Sequence, residues 1–125
     1  AGLGLVHSLS GPLTGALHLH HGLANALLLP YVMRFNLPAI PPERRQSLTH
    51  LFGLASDAPD DVIVERLFTF VRNLGLPTRL EELDKPLDTV DWNAIAEDTT
   101  RMVLLANNPR PASVEECRTL LAEIR

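Results

Sequence analysis

The chain has 125 residues, of which 46 % are hydrophobic, so it can form one compact domain with a core and is not disordered as a whole. Its net charge of −4, without any basic run, disfavours nucleic acid and anionic membrane surfaces as partners. One cysteine excludes an internal disulfide, and neither a secretory leader nor an apolar stretch of membrane-spanning length is visible, so we expect a cytoplasmic protein.

The apolar residues recur with the period of an α-helix over nearly the whole chain, which predicts an all-α fold. The first helix is predicted over residues 2–10. A turn or loop is expected after it, marked by Gly11, Pro12 and Gly15. The second helix is predicted from residue 21 or 22 to about residue 35. It is apolar on all sides and should be buried, and Pro30 inside it predicts a kink.

Residues 36–42 are predicted to connect to a third helix, which begins at Pro42 and ends near Gly53. A fourth helix is predicted with Asp60 as its cap and Gly75 at its end. Its expected inner face consists of Ile63, Leu67, Phe70, Val71 and Leu74. Thr78 is a candidate cap for a short helical turn that follows.

Two further helices are predicted in the last third of the chain. Asp91 is the expected cap of the first of them. Its inner face is predicted to consist of Ile95, Thr99, Met102 and Val103. Residues 107–111 break the pattern, and Ser113 with Glu116 forms a capping-box signature that opens the last helix.

Four of the five histidines lie within the first 21 residues. His7 is expected to close the first helix and His21 to begin the next, 14 positions later, so two imidazoles could bind one metal ion. A catalytic metal usually needs three or four protein ligands, and this segment has no well-placed carboxylate. Spacing alone therefore favours the other interpretation, that the histidines, His18 and His20 included, cap helix ends or form an exposed cluster.

The residues around these histidines form a longer pattern. GLGLVHSLSGPLTG followed by HHGLANALLLPYVMRFN resembles the iron-containing (group III) alcohol dehydrogenases, in which G-L-x-H-x-x-x-H-P-L-G precedes P-H-G-x-A-N-A-x-x-L-P. LGLPTRLEELD and NNPRPASVEE are similar to two later family segments, in the same order. The resemblance covers essentially the whole chain. It implies that residues 1–125 are the carboxyl-terminal helical domain of a larger enzyme, whose amino-terminal α/β domain binds the nicotinamide cofactor.

The resemblance also implies a metal site. Members of the family hold one divalent metal, usually iron and sometimes zinc, with one Asp and three His. Two of these ligands correspond to His7 and His21, and the other two would lie upstream. The 14-residue interval matches the family interval and favours His21 as the ligand over His20, which is expected to flank the site.

Two other positions bear on the implied site. Many members carry a histidine, thought to help move a proton, where this chain has Gly11. Either water, His18 or His20 takes over that role, or the full-length protein is a weak or altered catalyst. Asn25 is expected either to orient a metal ligand through a hydrogen bond or simply to make a hydrogen bond at the start of its helix.

The implied reaction is NAD(P)-linked hydride transfer between a small alcohol and an aldehyde or ketone, with the metal polarising the carbonyl oxygen as a Lewis acid. The chain has no glycine-rich nucleotide fingerprint, so it is predicted to be inactive alone and to need the amino-terminal domain as its partner. Without that domain an apolar face would be exposed, which favours self-association into a homodimer. Two other interpretations remain: a stand-alone, non-catalytic helical module derived from this family, and a metal-independent relative of the maleylacetate reductases.

Overall fold

A computed structural model describes residues 4–101, 108 and 110–125, and every regular element in these residues is helical. The all-α prediction is therefore confirmed. The α-helices of this part of the chain are α1 (Gly4–Leu17), α2 (His21–Asn36), α3 (Pro42–Leu51), α4 (Asp60–Asn73), α5 (Trp92–Thr100) and α6 (Val114–Ile124). Short 3₁₀ helices cover Leu37–Ala39 and Leu80–Glu82. None of the helices described combines the length and apolarity needed to cross a lipid bilayer.

Helix α2 lies at the centre of the fold and contacts α1, α4 and α6, while α5 bridges α1 and α6. The central residues of α2, Leu27, Leu28 and Val32, are fully buried, which confirms the predicted burial of this helix. Pro30 lies inside α2, as predicted. The main core joins side chains of α1, α2, α5 and α6, and a second cluster joins the carboxyl-terminal end of α2 to α4.

The predicted break after residue 10 is wrong, because α1 continues to Leu17. Four leucines at intervals of four residues form one buried face of this helix: Leu5, Leu9, Leu13 and Leu17. Burying each leucine contributes about 1.5–3 kcal/mol. Together they outweigh the roughly 5 kcal/mol by which two glycines and one proline disfavour a helix interior. As a consequence, His7 lies inside α1 instead of closing it.

Most of the predicted helix ends are confirmed. The Asp91 carboxylate accepts a hydrogen bond from the Ala94 amide at 3.0 Å and caps α5. Ser113 and Glu116 form both bonds of the capping box at the start of α6. Gly75 adopts a φ of +77° just after α4, a left-handed conformation that glycine reaches without steric cost.

Two predicted caps are wrong. Asp60 is the first residue of α4 and Pro59 precedes it as the cap, because the Asp60 carboxylate instead pairs with the Arg45 guanidinium at 2.6 Å. Thr78 does not cap the Leu80–Glu82 helix, because its hydroxyl bonds the carboxylate of Glu82 at 3.2 Å.

The predicted inner faces are confirmed in part. Ile63, Leu67 and Val71 of α4 are buried, whereas Phe70 and Leu74 are 49 % and 60 % exposed. Val64 is buried on this helix in addition. On α5, Ile95 and Thr99 are buried. Met102 and Val103 lie outside the described residues.

Candidate metal centre

Helices α1 and α2 bring His7 and His21 together. Their ring centroids are 6.4 Å apart and their planes differ by 22°. Both residues are exposed, so the two imidazoles open onto the same stretch of surface. The structure therefore places close together the two histidines that the family resemblance implies as ligands.

The short connection between α1 and α2 explains why His21 begins its helix. His20 precedes it in extended conformation, and its Nδ1 accepts a hydrogen bond from the Gly22 amide at 3.2 Å. His20 is thus the cap of α2, the structural role that spacing alone favoured for these histidines. Its imidazole is exposed and points back to the helix backbone through Nδ1.

His18 has a conformational role in the same connection. Its φ of 55° lies in the left-handed region, where histidine occurs more often than most residues with a side chain. The side chain is exposed, and the neighbouring Leu19 is buried in the main core. His18 therefore lies on the turn beside the histidine pair.

Asn25 lies one turn after His21 on α2, which places both residues on one face of that helix. Its Oδ1 atom is buried, and among the described residues it has no hydrogen-bond partner. The expected bond at the helix start is therefore not made by this oxygen. A buried acceptor left unpaired costs about 1–3 kcal/mol, so a hydrogen bond to Asn25 Oδ1 would stabilise this part of α2.

The donor set fits part of a metal site. Imidazole nitrogen suits iron and zinc, and two imidazole rings lie side by side here, 6.4 Å apart between their centroids. Within the described residues, no group of three or more His, Cys, Asp or Glu side chains is placed to hold a metal ion. Catalytic sites generally use at least three protein ligands, so a metal held by His7 and His21 would need further ligands from elsewhere.

Cys117 is not a candidate ligand or nucleophile. It is fully buried in the main core, on α6. Burial, followed by the nearby Glu116 carboxylate, raises the pKa of the Cys117 thiol to about 11. The thiol therefore stays protonated at neutral pH.

The sequence did not reveal the network around Asn108. The side-chain amides of Asn36 and Asn108 form two hydrogen bonds with each other, at 2.9 and 2.8 Å. Asn108 Oδ1 also accepts a bond from the Leu5 amide at 3.3 Å. Arg110 donates to the Phe35 carbonyl at 3.0 Å and to Glu116 at 3.1 Å. Asn108 and Arg110 therefore join α1, the end of α2 and the start of α6.

The sequence model described as "Fe-containing alcohol dehydrogenase family, C-terminal" matches residues 1–124. The chain is 32 % identical over 120 residues to lactaldehyde reductase of Escherichia coli (strain K12), which covers 92 % of this chain and 31 % of that protein. It is 33 % identical over 132 residues to 1-propanol dehydrogenase PduQ of Salmonella typhimurium, with 99 % and 36 % covered.

Among solved structures, an alcohol dehydrogenase from Oenococcus oeni matches all of this chain and 33 % of its own, with a TM-score of 0.83 and 26 % identity. The chain thus belongs to the iron-containing alcohol dehydrogenase family and corresponds to its carboxyl-terminal part. It spans about a third of the length of these relatives.

Proposed function

We propose that this chain is the metal-binding helical part of an NAD(P)-linked alcohol dehydrogenase that interconverts small alcohols with aldehydes or ketones. The observation that carries the proposal is the pairing of His7 and His21 at 6.4 Å in a member of this family. Relatives named for lactaldehyde and 1-propanol support a small substrate. The proposed partner is an amino-terminal nucleotide-binding domain, since these relatives are about three times as long as the chain.

His7 and His21 would hold the ion, ferrous iron or zinc, through their neutral imidazole nitrogens. When bound, the ion would supply Lewis-acid stabilisation of negative charge on the substrate oxygen. Both rings are exposed, so a facing segment that brings the remaining ligands can reach them. His20 supports this arrangement because its cap fixes the first turn of α2, from which His21 projects.

Asn25 and Gly11 would shape the rest of the site. The unpaired Asn25 Oδ1 can accept a hydrogen bond from the His21 ring or from a bound hydroxyl group. Gly11 lies one turn after His7 and is exposed, so this position offers no side chain to carry the proton of the alcohol. Water is the proposed carrier, because His20 Nδ1 is engaged in the cap of α2.

The proposal is tested by titrating the full-length product of the gene, stripped of metal, with Fe²⁺, Zn²⁺ and Co²⁺ under anaerobic conditions. We expect one ion per chain in the wild type. His7→Ala and His21→Ala each remove a ligand and should weaken binding at least about 100-fold, the upper end of the effect of losing a supporting partner. NAD(P)H-dependent reduction of small aldehydes should fall in parallel.

His50→Ala is the matched control, because His50 is an exposed histidine on α3, outside the pair. It should leave metal affinity and activity unchanged. Wild-type metal affinity in both His7→Ala and His21→Ala would overturn the proposal.

The second candidate function is a non-catalytic helical module derived from this family. Gly11 favours it, because Gly11 is exposed and, by the family resemblance, many members carry a histidine at this position. Intact mass spectrometry of the protein from its native cell, together with the aldehyde reduction assay, distinguishes the two. A product much longer than 125 residues that reduces an aldehyde contradicts the module. A product near this length without activity contradicts the enzyme.

A further inference from the structure

Helix α1 has little intrinsic stability in the stretch that carries His7. It contains three glycines, Gly4, Gly11 and Gly15, each of which disfavours a helix. Pro12 has no N–H, so the carbonyl of Ser8 loses its usual helical donor. The position of His7 therefore depends on contacts that other segments of the protein make with the start of α1.

Asn108 makes such a contact with the first turn of α1. Its Oδ1 accepts the hydrogen bond of the Leu5 amide, one of the first-turn N–H groups that have no partner within a helix. Leu5 is fully buried, so its amide depends on a protein acceptor in the native structure. The bond lies two residues before His7 and comes from a residue 103 positions away.

The same amide also holds the helix that carries His21. Asn36, the last residue of α2, is fully buried and exchanges two hydrogen bonds with Asn108. Asn108 Nδ2 donates in addition to the Arg110 carbonyl at 2.7 Å. The Arg110 guanidinium stacks 4.0 Å from the centre of the Phe35 ring. The amide group is therefore used as donor and acceptor at once, and its surroundings fix its orientation.

We propose that Asn108 is a positioning residue for the candidate metal centre. By tying the first turn of α1 to the end of α2, it sets where His7 stands relative to His21. The inference rests on the proposed function, because it assumes that the two histidines bind the metal. It requires an amide at this position: alanine removes all of its bonds, and aspartate keeps an acceptor for Leu5 but loses both donated bonds.

The test compares Asn108→Ala and Asn108→Asp with the wild type, using the full-length gene product and Co²⁺ as the probe. We expect a loss of Co²⁺ affinity of about tenfold in Asn108→Ala, the lower end of the range for partners that orient ligands. The loss in Asn108→Asp should be smaller. The d–d absorption spectrum of bound Co²⁺ should change, and hydrogen exchange should speed up at the amides of residues 5–8 but not in α4.

Two controls separate positioning from general destabilisation. Ile63→Val removes one methylene from the second core cluster, away from α1, and should leave Co²⁺ affinity and spectrum unchanged. Asn93→Ala removes an exposed asparagine whose hydrogen bond to Glu97 is local to α5, and should also have no effect. If Asn108→Ala does not fold, Asn108→Asp against Ile63→Val decides the question in the same way.

Wild-type affinity and spectrum in the Asn108 variants would overturn the inference. An equal loss in Ile63→Val would overturn it too, because the effect would then be one of stability. In both cases His7→Ala and His21→Ala still report on the proposed function: if both also keep full Co²⁺ affinity, the histidine site itself is refuted. If only the Asn108 variants bind normally, the inference alone fails.

Discussion

The hydroxyl group of Tyr31 links α2 to the segment that precedes the Leu80–Glu82 helix. It donates a hydrogen bond to the Thr78 carbonyl at 2.6 Å, and both residues are buried. The Tyr31 ring also packs edge-on against Phe68, with centroids 5.1 Å apart. Tyr31→Phe keeps this ring contact and removes the hydroxyl alone, so it isolates the hydrogen bond.

The expected cost follows from what the substitution leaves behind. A neutral hydrogen bond contributes about 0.5–1.5 kcal/mol net, and a buried carbonyl left unpaired costs about 1–3 kcal/mol. We therefore expect Tyr31→Phe to lower the free energy of unfolding by about 2 kcal/mol at neutral pH. Urea denaturation of this chain, followed by the fluorescence of its single tryptophan, Trp92, measures the change in the free energy of unfolding. The m-value should not change.

The cost should also depend on pH. Burial raises the pKa of Tyr31 above its ordinary value of 10.0, so the folded protein holds the phenolic proton more firmly than the unfolded chain. The stability contributed by this group is complete below pH 10 and is lost as the pH rises through the folded pKa. Cys117, with its pKa raised from 9.0 to about 11, acts in the same direction in both proteins and cancels in the comparison.

The difference between wild type and Tyr31→Phe should therefore shrink above about pH 10. A cost below about 0.5 kcal/mol at neutral pH would refute the assignment of a buried, net-stabilising hydrogen bond. A difference that stays constant up to about pH 11 would refute the role of burial in holding the proton.

Two further predictions concern glycines and the cysteine. Gly75→Ala should lower the free energy of unfolding by about 1 kcal/mol. The added Cβ meets nothing within 4 Å, so the cost comes from holding an alanine backbone at a φ of +77°. Gly15→Ala, inside α1 with equally open space, should raise the free energy of unfolding by up to about 1 kcal/mol. If urea denaturation shows that both substitutions change this free energy in the same direction, the explanation is contradicted. Buried Cys117, with a pKa of about 11, should react with a thiol-specific chromogenic disulfide only after denaturation. Labelling of the native protein as fast as of the denatured chain is the opposing result.

Local chemistry made much of the fold predictable. The caps at Asp91 and Ser113 and the glycine at position 75 act within one helical turn, so the sequence around them is sufficient. In the second half of α1, glycine and proline predict a break, while the leucines spaced four residues apart predict a helix, and burial of the leucines prevails. Phe70 shows that helical spacing of apolar residues can also predict too much burial, since this residue lies at the expected spacing and is still exposed.

The candidate site was predictable only in part, for a different reason. The two histidines follow a short interval that the family resemblance supplies, and the structure brings them together. The contact between Asn36 and Asn108 joins residues 72 positions apart, and no periodicity marks it. An asparagine in a proline-rich connection is equally compatible with a solvated turn, so its role emerges only when the helices are packed.

The three-residue connection between α1 and α2 has a consequence for the order of assembly. Contacts across short loops cost little chain entropy, and loops of this size close on the order of 100 ns. The two imidazoles, only 14 residues apart, can therefore meet early in folding, whereas the Asn36–Asn108 pair must wait for a chain segment 72 residues away. We expect His7 and His21 to come close to each other early in folding, and the Asn36–Asn108 hydrogen bonds to form only when folding is nearly complete.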